Sequence, residues 1–223
     1  MTDARPVGAA IGVFGGTFDP VHYGHLRTAF EILRALRLAE LRFVPAGDPP
    51  HRASPLVDAR RRLELVRAAI ADQPGFVVDD REVRRAGPSY SVLTLLELRA
   101  EFRAAPLCLI LGMDAFLGLP TWHRWRELPG LAHLVVAPRP GWAAPTAGEL
   151  GELMAARRTD DVEDLCAAVA GRVFVQPVTQ LEISSTGLRE QLAAGHDPRY
   201  LVPDAVREVI VRTGCYSVPQ PTR

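Results

Sequence analysis

The sequence predicts an α/β domain, an open parallel sheet with helices on both faces. Three observations lead there. Short apolar runs alternate with segments of helical period along most of the chain. Several of those runs, 107–111 and 133–137 among them, are apolar nearly throughout, as strands covered on both faces must be. And the chain, 223 residues with 48% hydrophobic side chains, is long and apolar enough to bury a large core.

The elements follow in order. Residues 9–14 form an apolar run without helical period that stops at Gly15-Gly16, so it reads as a buried strand. Leu26, Ala29, Phe30, Leu33 and Leu36 then recur at three- and four-residue steps, the stripe of an amphipathic helix. Residues 41–44 are a second strand, ended by Pro45. Residues 58–71 read as a helix with Leu63, Val66 and Ile70 on one face, and 76–78 as a third strand. Ser91 is placed to cap a helix carrying Val92, Leu95, Leu96 and Phe102. After the strands at 107–111 and 133–137, residues from Pro138 to about Gly171 are rich in Pro, Gly and Ala, then in charge. They predict a surface excursion with one or two short helices, whose least diagnostic part is about 140–171. Residues 172–175 resume the sheet, and 184–192 and 203–212 read as closing helices, the second with Pro203 at its start, where a missing N–H is harmless. The whole of 1–223 reads as one domain.

Composition excludes several classes. The 26 basic side chains, all arginine, balance 26 acidic ones. That argues against a protein that coats nucleic acid or a membrane surface, without excluding a local anion site. No run approaches the roughly 20 apolar residues of a spanning helix, and the N-terminus lacks a signal-peptide layout. Cys108, Cys166 and Cys215 are too far apart for a disulfide framework or a metal pair, and Cys108 sits in an apolar run as a core residue. A reducing, cytoplasmic compartment is expected. A homo-oligomer is left open.

The chemistry is concentrated in residues 15–25, Gly-Gly-Thr-Phe-Asp-Pro-Val-His-Tyr-Gly-His, between the first strand and the first helix. Ligands of open parallel sheets sit beyond the C-terminal strand ends. Glycines let the backbone approach a phosphate closely, and a helix N-terminus offers unpaired N–H groups to an anion. His22 and His25 can face one ligand there. A plain turn and a His-x-x-His metal pair are the alternatives, the latter weakened by the lack of a third ligand at suitable spacing. The glycines do not spell the dinucleotide fingerprint, and a phosphate loop of the Walker type needs a lysine that the chain lacks. Downstream, Ser184-Ser185-Thr186 can cap the following helix or present hydroxyls and N–H groups to phosphate, with Arg189 one turn further on.

These residues carry a resemblance. Residues 16–25 resemble the HxGH motif of the nucleotidylyltransferase superfamily, and Ile183-Ser184-Ser185-Thr186-Gly187-Leu188-Arg189 its ISSTxxR motif. Within that superfamily, Gly87-Pro88-Ser89-Tyr90-Ser91 is similar to the GPSY element of the nicotinate-nucleotide adenylyltransferases. Gly112-Met113-Asp114 followed by Leu119-Pro120-Thr121-Trp122 matches their G-x-D…LPxW segment. Pro49-Pro50-His51-Arg52, Arg139-Pro140-Gly141 and Leu201-Val202-Pro203-Asp204 resemble further elements. The likeness spans roughly 9–139 and 173–217.

The resemblance implies a Rossmann-like nucleotidylyltransferase fold whose C-terminal helices close the site. It implies transfer of the adenylyl group of ATP to nicotinate mononucleotide, giving deamido-NAD and pyrophosphate, by in-line attack without a covalent intermediate. It implies His22 and His25 as catalytic residues on the ATP phosphates. Gly15, Gly16, Thr17, Phe18, Arg52, Ser184, Ser185, Thr186 and Arg189 would hold ATP; Ser89, Tyr90, Gly112, Asp114, Trp122 and Arg139 would line the mononucleotide site. Read as side chains alone, Trp122 also suits packing, Ser89 a helix cap, Tyr90 a core aromatic, Asp114 and Arg139 an ion pair, and Arg52 a solvated loop. No protein metal site is implied; Mg²⁺ would enter with ATP. His123 is expected at the surface and His133 at a strand start.

Overall fold

The computed structural model describes residues 10–49, 55–138, 142 and 144–217. Seven parallel strands form one open sheet: β1 (Ile11–Gly16), β2 (Glu40–Pro45), β3 (Phe76–Val78), β4 (Leu107–Gly112), β5 (His133–Ala137), β6 (Arg158–Thr159) and β7 (Val173–Val175). Their spatial order is β3-β2-β1-β4-β5-β7-β6. The chain steps outward from β1 through β2 to β3, then returns to lay β4 against the other side of β1, with Ile11 opposite Leu107. The topological switch point therefore lies between β1 and β4.

The central strands alternate side chains between two cores, the period-two rule applied to a sheet with no solvent face. Cys108 and Ile110 of β4 enter one core; Leu107, Leu109 and Leu111 enter the other. In β5, Val135 and Ala137 oppose Leu134 and Val136 in the same way. The first core is closed by α1 (Tyr23–Ala35), α2 (Ala59–Ile70), α9 (Ser185–Ala193) and α10 (Asp204–Thr213), through Ile32, Val66, Leu188, Val206 and their neighbours. The second is closed by α4 (Ser91–Glu101), α5 (Met113–Leu117), α6 (Leu128–Leu131) and α7 (Gly148–Arg157), through Leu95, Phe116, Leu128 and Leu150. Two further short helices, α3 (Arg81–Arg84) and α8 (Asp164–Ala167), complete the α-helices among the described residues. Burial on both sides of the sheet is why the strands read as unbroken apolar runs.

Three details depart from the sequence reading. β1 continues through both glycines, with Gly15 and Gly16 in register with Val44 and Pro45. Ser91 is the first residue of α4 and not its cap; Tyr90 holds the cap position without a side-chain hydrogen bond. The segment after Pro138 is more than a surface excursion. Leu150 and Met154 of α7 enter the second core, and β6 pairs with β7 to extend the sheet by an edge strand.

Candidate functional site

The C-terminal ends of β1 and β4 are lined by Gly15 and Gly112, both exposed. A Cβ built on either would meet nothing within 4 Å, so no packing against the protein requires a glycine there. Both leave bare backbone facing open space at the switch point.

From Gly16 the chain passes through Thr17, Phe18, Asp19 and the cis Asp19–Pro20 bond to His22, which caps α1. Phe18 takes a left-handed backbone (φ 50°) that turns its ring inward. The ring sits edge-on to Phe14 and His25, at 5.8 and 5.2 Å. His22 and His25 lie one turn apart with ring centroids at 3.8 Å. The His22 backbone N–H donates to Nδ1 of His25 at 3.3 Å, so the neutral His25 ring carries its proton on Nε2. His22 is 5% exposed, and its Nδ1 is buried without a hydrogen-bond partner. Burial lowers its pKa from 6.5 to about 4. Burial thus favours the neutral imidazole of His22 near pH 7. Gly24 between the two is required by His22: a Cβ there would stand 2.9 Å from Nδ1.

The second motif docks onto this loop. Ser184 caps α9, its hydroxyl accepting from Gly187 N–H at 3.1 Å. The Ser185 hydroxyl donates to Pro20 O at 3.0 Å. Arg189 donates to Asp19 O at 2.8 Å and to the Thr186 hydroxyl at 3.1 Å. Leu201 O accepts from Tyr23 N–H at 3.0 Å. The N-termini of α1 and α9, two positive dipole ends, are thereby joined around both histidines and one guanidinium, an electrostatic setting for an anion. The Ser184 hydroxyl accepts in the cap and keeps its own O–H for donation, beside the backbone N–H groups of the following turn.

The underside of the loop is pinned by residues that sequence reading missed. Asp19 is 3% exposed. Its carboxylate accepts from the Tyr216 hydroxyl and from Leu56 N–H, each at 2.8 Å. Arg62, 1% exposed, donates to the carbonyls of Thr17 (2.7 Å), Val57 and Gly47 (3.1 Å each). The signal for Arg62 was present: it shares a helix face with Leu65 and Val66, three and four residues on.

Of the residues expected at the mononucleotide site, Ser89 and Tyr90 come from the loop before α4, Gly112 from the end of β4, Asp114 from α5 and Trp122 from the turn after it. Ser89 binds the loop after β2, its hydroxyl accepting from Gly47 and Asp48 N–H at 2.8 and 3.2 Å. It also hydrogen-bonds to the buried Glu82, whose pKa burial raises. Ser89 therefore shapes a backbone surface. Tyr90 stacks on His123 with centroids 4.3 Å apart and planes at 29°, so His123, exposed as expected, also joins this loop to the one carrying Trp122. Tyr90 and Trp122 are half-buried against the second core. Asp114 is exposed in the first turn of α5, two residues beyond Gly112. Arg52 and Arg139 lie outside the described residues. His133 is fully buried, its Nε2 at 2.8 Å from Ala168 O and its Nδ1 accepting from Arg172 N–H at 3.0 Å. Cys108 is buried, and burial pushes its thiol up to about 12, as suits an inert core residue. Among the described residues no group of three or more His, Cys, Asp or Glu side chains is arranged to hold a metal ion.

Comparison with known proteins agrees with this architecture. The family model described as Cytidylyltransferase-like matches residues 13–191, from β1 into α9. A relative from Halorhodospira halophila, named "Probable nicotinate-nucleotide adenylyltransferase", is 52% identical over 94% of this chain and 96% of its own. One of the same name from Aeromonas hydrophila is 50% identical over 92% and 96%. Among solved structures, the Plasmodium falciparum nicotinic acid mononucleotide adenylyltransferase complexed with NaAD superposes with a TM-score of 0.69, covering 93% of this chain and 97% of that one. At 16% identity that likeness speaks for the fold.

Fold and site together define an enzyme of the nucleotidyltransferase class. The chain belongs to the cytidylyltransferase-like family and, within it, to the nicotinate-nucleotide adenylyltransferases.

Proposed function

We propose that this chain transfers the adenylyl group of ATP to nicotinate mononucleotide, forming deamido-NAD and pyrophosphate. The observation that carries the reading is the junction of the α1 and α9 N-termini around His22, His25 and Arg189, beside the open backbone of Gly15 and Gly112. That donor set suits phosphate oxygens. The relatives' names supply the acceptor, and a nicotinic acid mononucleotide adenylyltransferase of the same fold has been solved with NaAD bound.

The mononucleotide phosphate attacks the α-phosphorus of ATP in line. A bond forms from the phosphate oxygen to the α-phosphorus, the bond to the bridging oxygen breaks, and pyrophosphate leaves with the electron pair. The attacking phosphate is already ionised near neutral pH, so no general base is needed; the enzyme supplies alignment and charge neutralisation. His25 donates from Nε2 to the reacting phosphate, and neutral His22 supports it from the helix cap. Gly15, Gly16, Thr17 and Phe18 supply close backbone, while Ser185, Thr186 and Arg189 face the triphosphate from α9, and Arg52 adds a cation. Ser89, Tyr90, Gly112, Asp114, Trp122 and Arg139 form the acceptor side, with Trp122 offering an indole face to the pyridine ring. Imidazole, guanidinium and N–H groups offer Mg²⁺ no oxygen ligand, so the triphosphate would hold the ion, which would neutralise charge there. No helix among the described residues is long and apolar enough to cross a membrane, and we place the reaction in the cytoplasm.

The test is pyrophosphate release from ATP and Mg²⁺ with nicotinate mononucleotide, and separately with nicotinamide mononucleotide. Turnover with the acid well above the amide is expected. No turnover with either overturns the reading, and preference for the amide reverses the acceptor.

A further inference from the structure

Arg62 is the first of three linked observations. It is the innermost of three consecutive arginines, Arg60-Arg61-Arg62, and the one that turns into the core. A buried guanidinium costs several kcal/mol to desolvate unless its donors are satisfied. Here all three of its nitrogens bind backbone carbonyls, those of Val57, Thr17 and Gly47. The acceptors lie in two loops, Thr17 after β1 and Gly47 and Val57 at the two ends of the connection from β2 to α2, so the side chain cross-links those loops.

The second observation is what those carbonyls belong to. Thr17 lies in the loop after β1 that leads to His22 and His25. Gly47 lies in the loop after β2, and its N–H and that of Asp48 end on the Ser89 hydroxyl, while Ser89 N–H returns to Asp48 O at 2.8 Å. A continuous hydrogen-bonded path therefore runs from Thr17 through Arg62 and Gly47 to Ser89, from the loop assigned to ATP to the loop assigned to the mononucleotide.

The third is that this path has no slack. A Cβ on Gly47 would stand 2.2 Å from Glu82 O, so the loop after β2 is wedged against the segment before Ser89. On the other side, Leu56 N–H and the Tyr216 hydroxyl hold the Asp19 carboxylate in place, and Asp19 attracts the Arg62 charge.

We propose that Arg62 is a positioning residue that fixes the two substrate loops relative to one another, setting the in-line distance between donor and acceptor without touching either. The inference rests on the adenylyl-transfer reading for its catalytic consequence, though not for its structural one. In-line transfer is sensitive to misplacement on the scale of 1 Å, whereas each loop keeps its own ligand contacts when the link between them loosens. Loss of Arg62 should therefore fall on kcat and spare the affinity for each substrate alone.

The test uses Arg62→Lys, which keeps the charge but cannot span three carbonyls, and Arg62→Met, which keeps the bulk without donors. Three quantities are read: kcat, equilibrium binding of each nucleotide singly, and amide hydrogen exchange of the unliganded protein in the segments holding Gly47–Asp48 and Leu56. For Arg62→Lys we expect kcat to fall about tenfold or more, each Kd to stay within about threefold, and exchange to rise in both segments. Wild-type kcat in Arg62→Lys overturns the proposal. So does a loss of affinity that matches the loss of kcat, or faster exchange in one segment alone. If Arg62→Met fails to fold, Arg62→Lys decides. If the wild type shows no adenylyl transfer, the functional reading falls, and the exchange data still decide whether Arg62 links the loops.

Discussion

At the scale of single residues, the site is governed by what touches His22. A histidine buried without a partner at Nδ1 stays neutral, and its ring is located by packing against His25 and the bare Cα of Gly24. Gly24→Ala separates position from folding. Alanine is favoured over glycine within a helix by about 0.5–1 kcal/mol, which offsets part of the strain. The new methyl would press on His22 Nδ1 from 2.9 Å and displace the ring. We expect kcat to fall by about 100-fold with a melting temperature close to wild type, read by steady-state kinetics and thermal unfolding. Retained activity would mean that the ring's placement is not critical.

At the scale of elements, the two motif helices depend on their caps and on each other. Ser184→Ala removes the hydroxyl that accepts Gly187 N–H and should cost about 1 kcal/mol in urea unfolding. Ser185→Ala removes the bond to Pro20 O, the direct tie between the motifs, and should weaken ATP binding more than Ser184→Ala does. The reverse order would place the ligand contact on the cap. The elements were legible wherever a local pattern dictated them. β4 and β5 announced themselves because both their faces are covered, and α9 because Ser184 caps it. β6 was not legible, since a two-residue edge strand, Arg158–Thr159, has no period to detect and exists through pairing with β7. The histidines and the α9 motif could be located from sequence. Their supports were legible only in part: Arg62 shares the buried face of α2 with Leu65 and Val66, but the carbonyls it binds lie in loops that no local pattern brings to it, and Tyr216 reaches Asp19 across 197 positions.

At the scale of the molecule, two buried histidines tie stability to acidity. His22 caps α1 after the loop that follows β1, while His133 opens β5 and bonds Ala168 and Arg172 on the way into β7. Burial lowers both pKa values from 6.5, that of His22 to about 4. Below pH 6.5 the unfolded chain therefore takes up protons that the folded chain refuses. Their contribution to stability is complete above 6.5 and is lost as pH falls toward the folded values, at up to about 1.4 kcal/mol per pH unit for each ring. Glu82 acts in the opposite sense, because burial raises its pKa and the folded chain holds that proton first. Asp79 and Asp197, whose pKa values are lowered, lose their contributions below the ordinary carboxylate range. Between pH 6.5 and 5 the histidines should prevail, and urea unfolding should show stability falling by about 1–3 kcal/mol. His133→Gln removes one titrating ring, so its stability should start lower at pH 7.5 yet decline less steeply toward pH 5. Parallel slopes for variant and wild type would show that His133 does not carry the acid dependence.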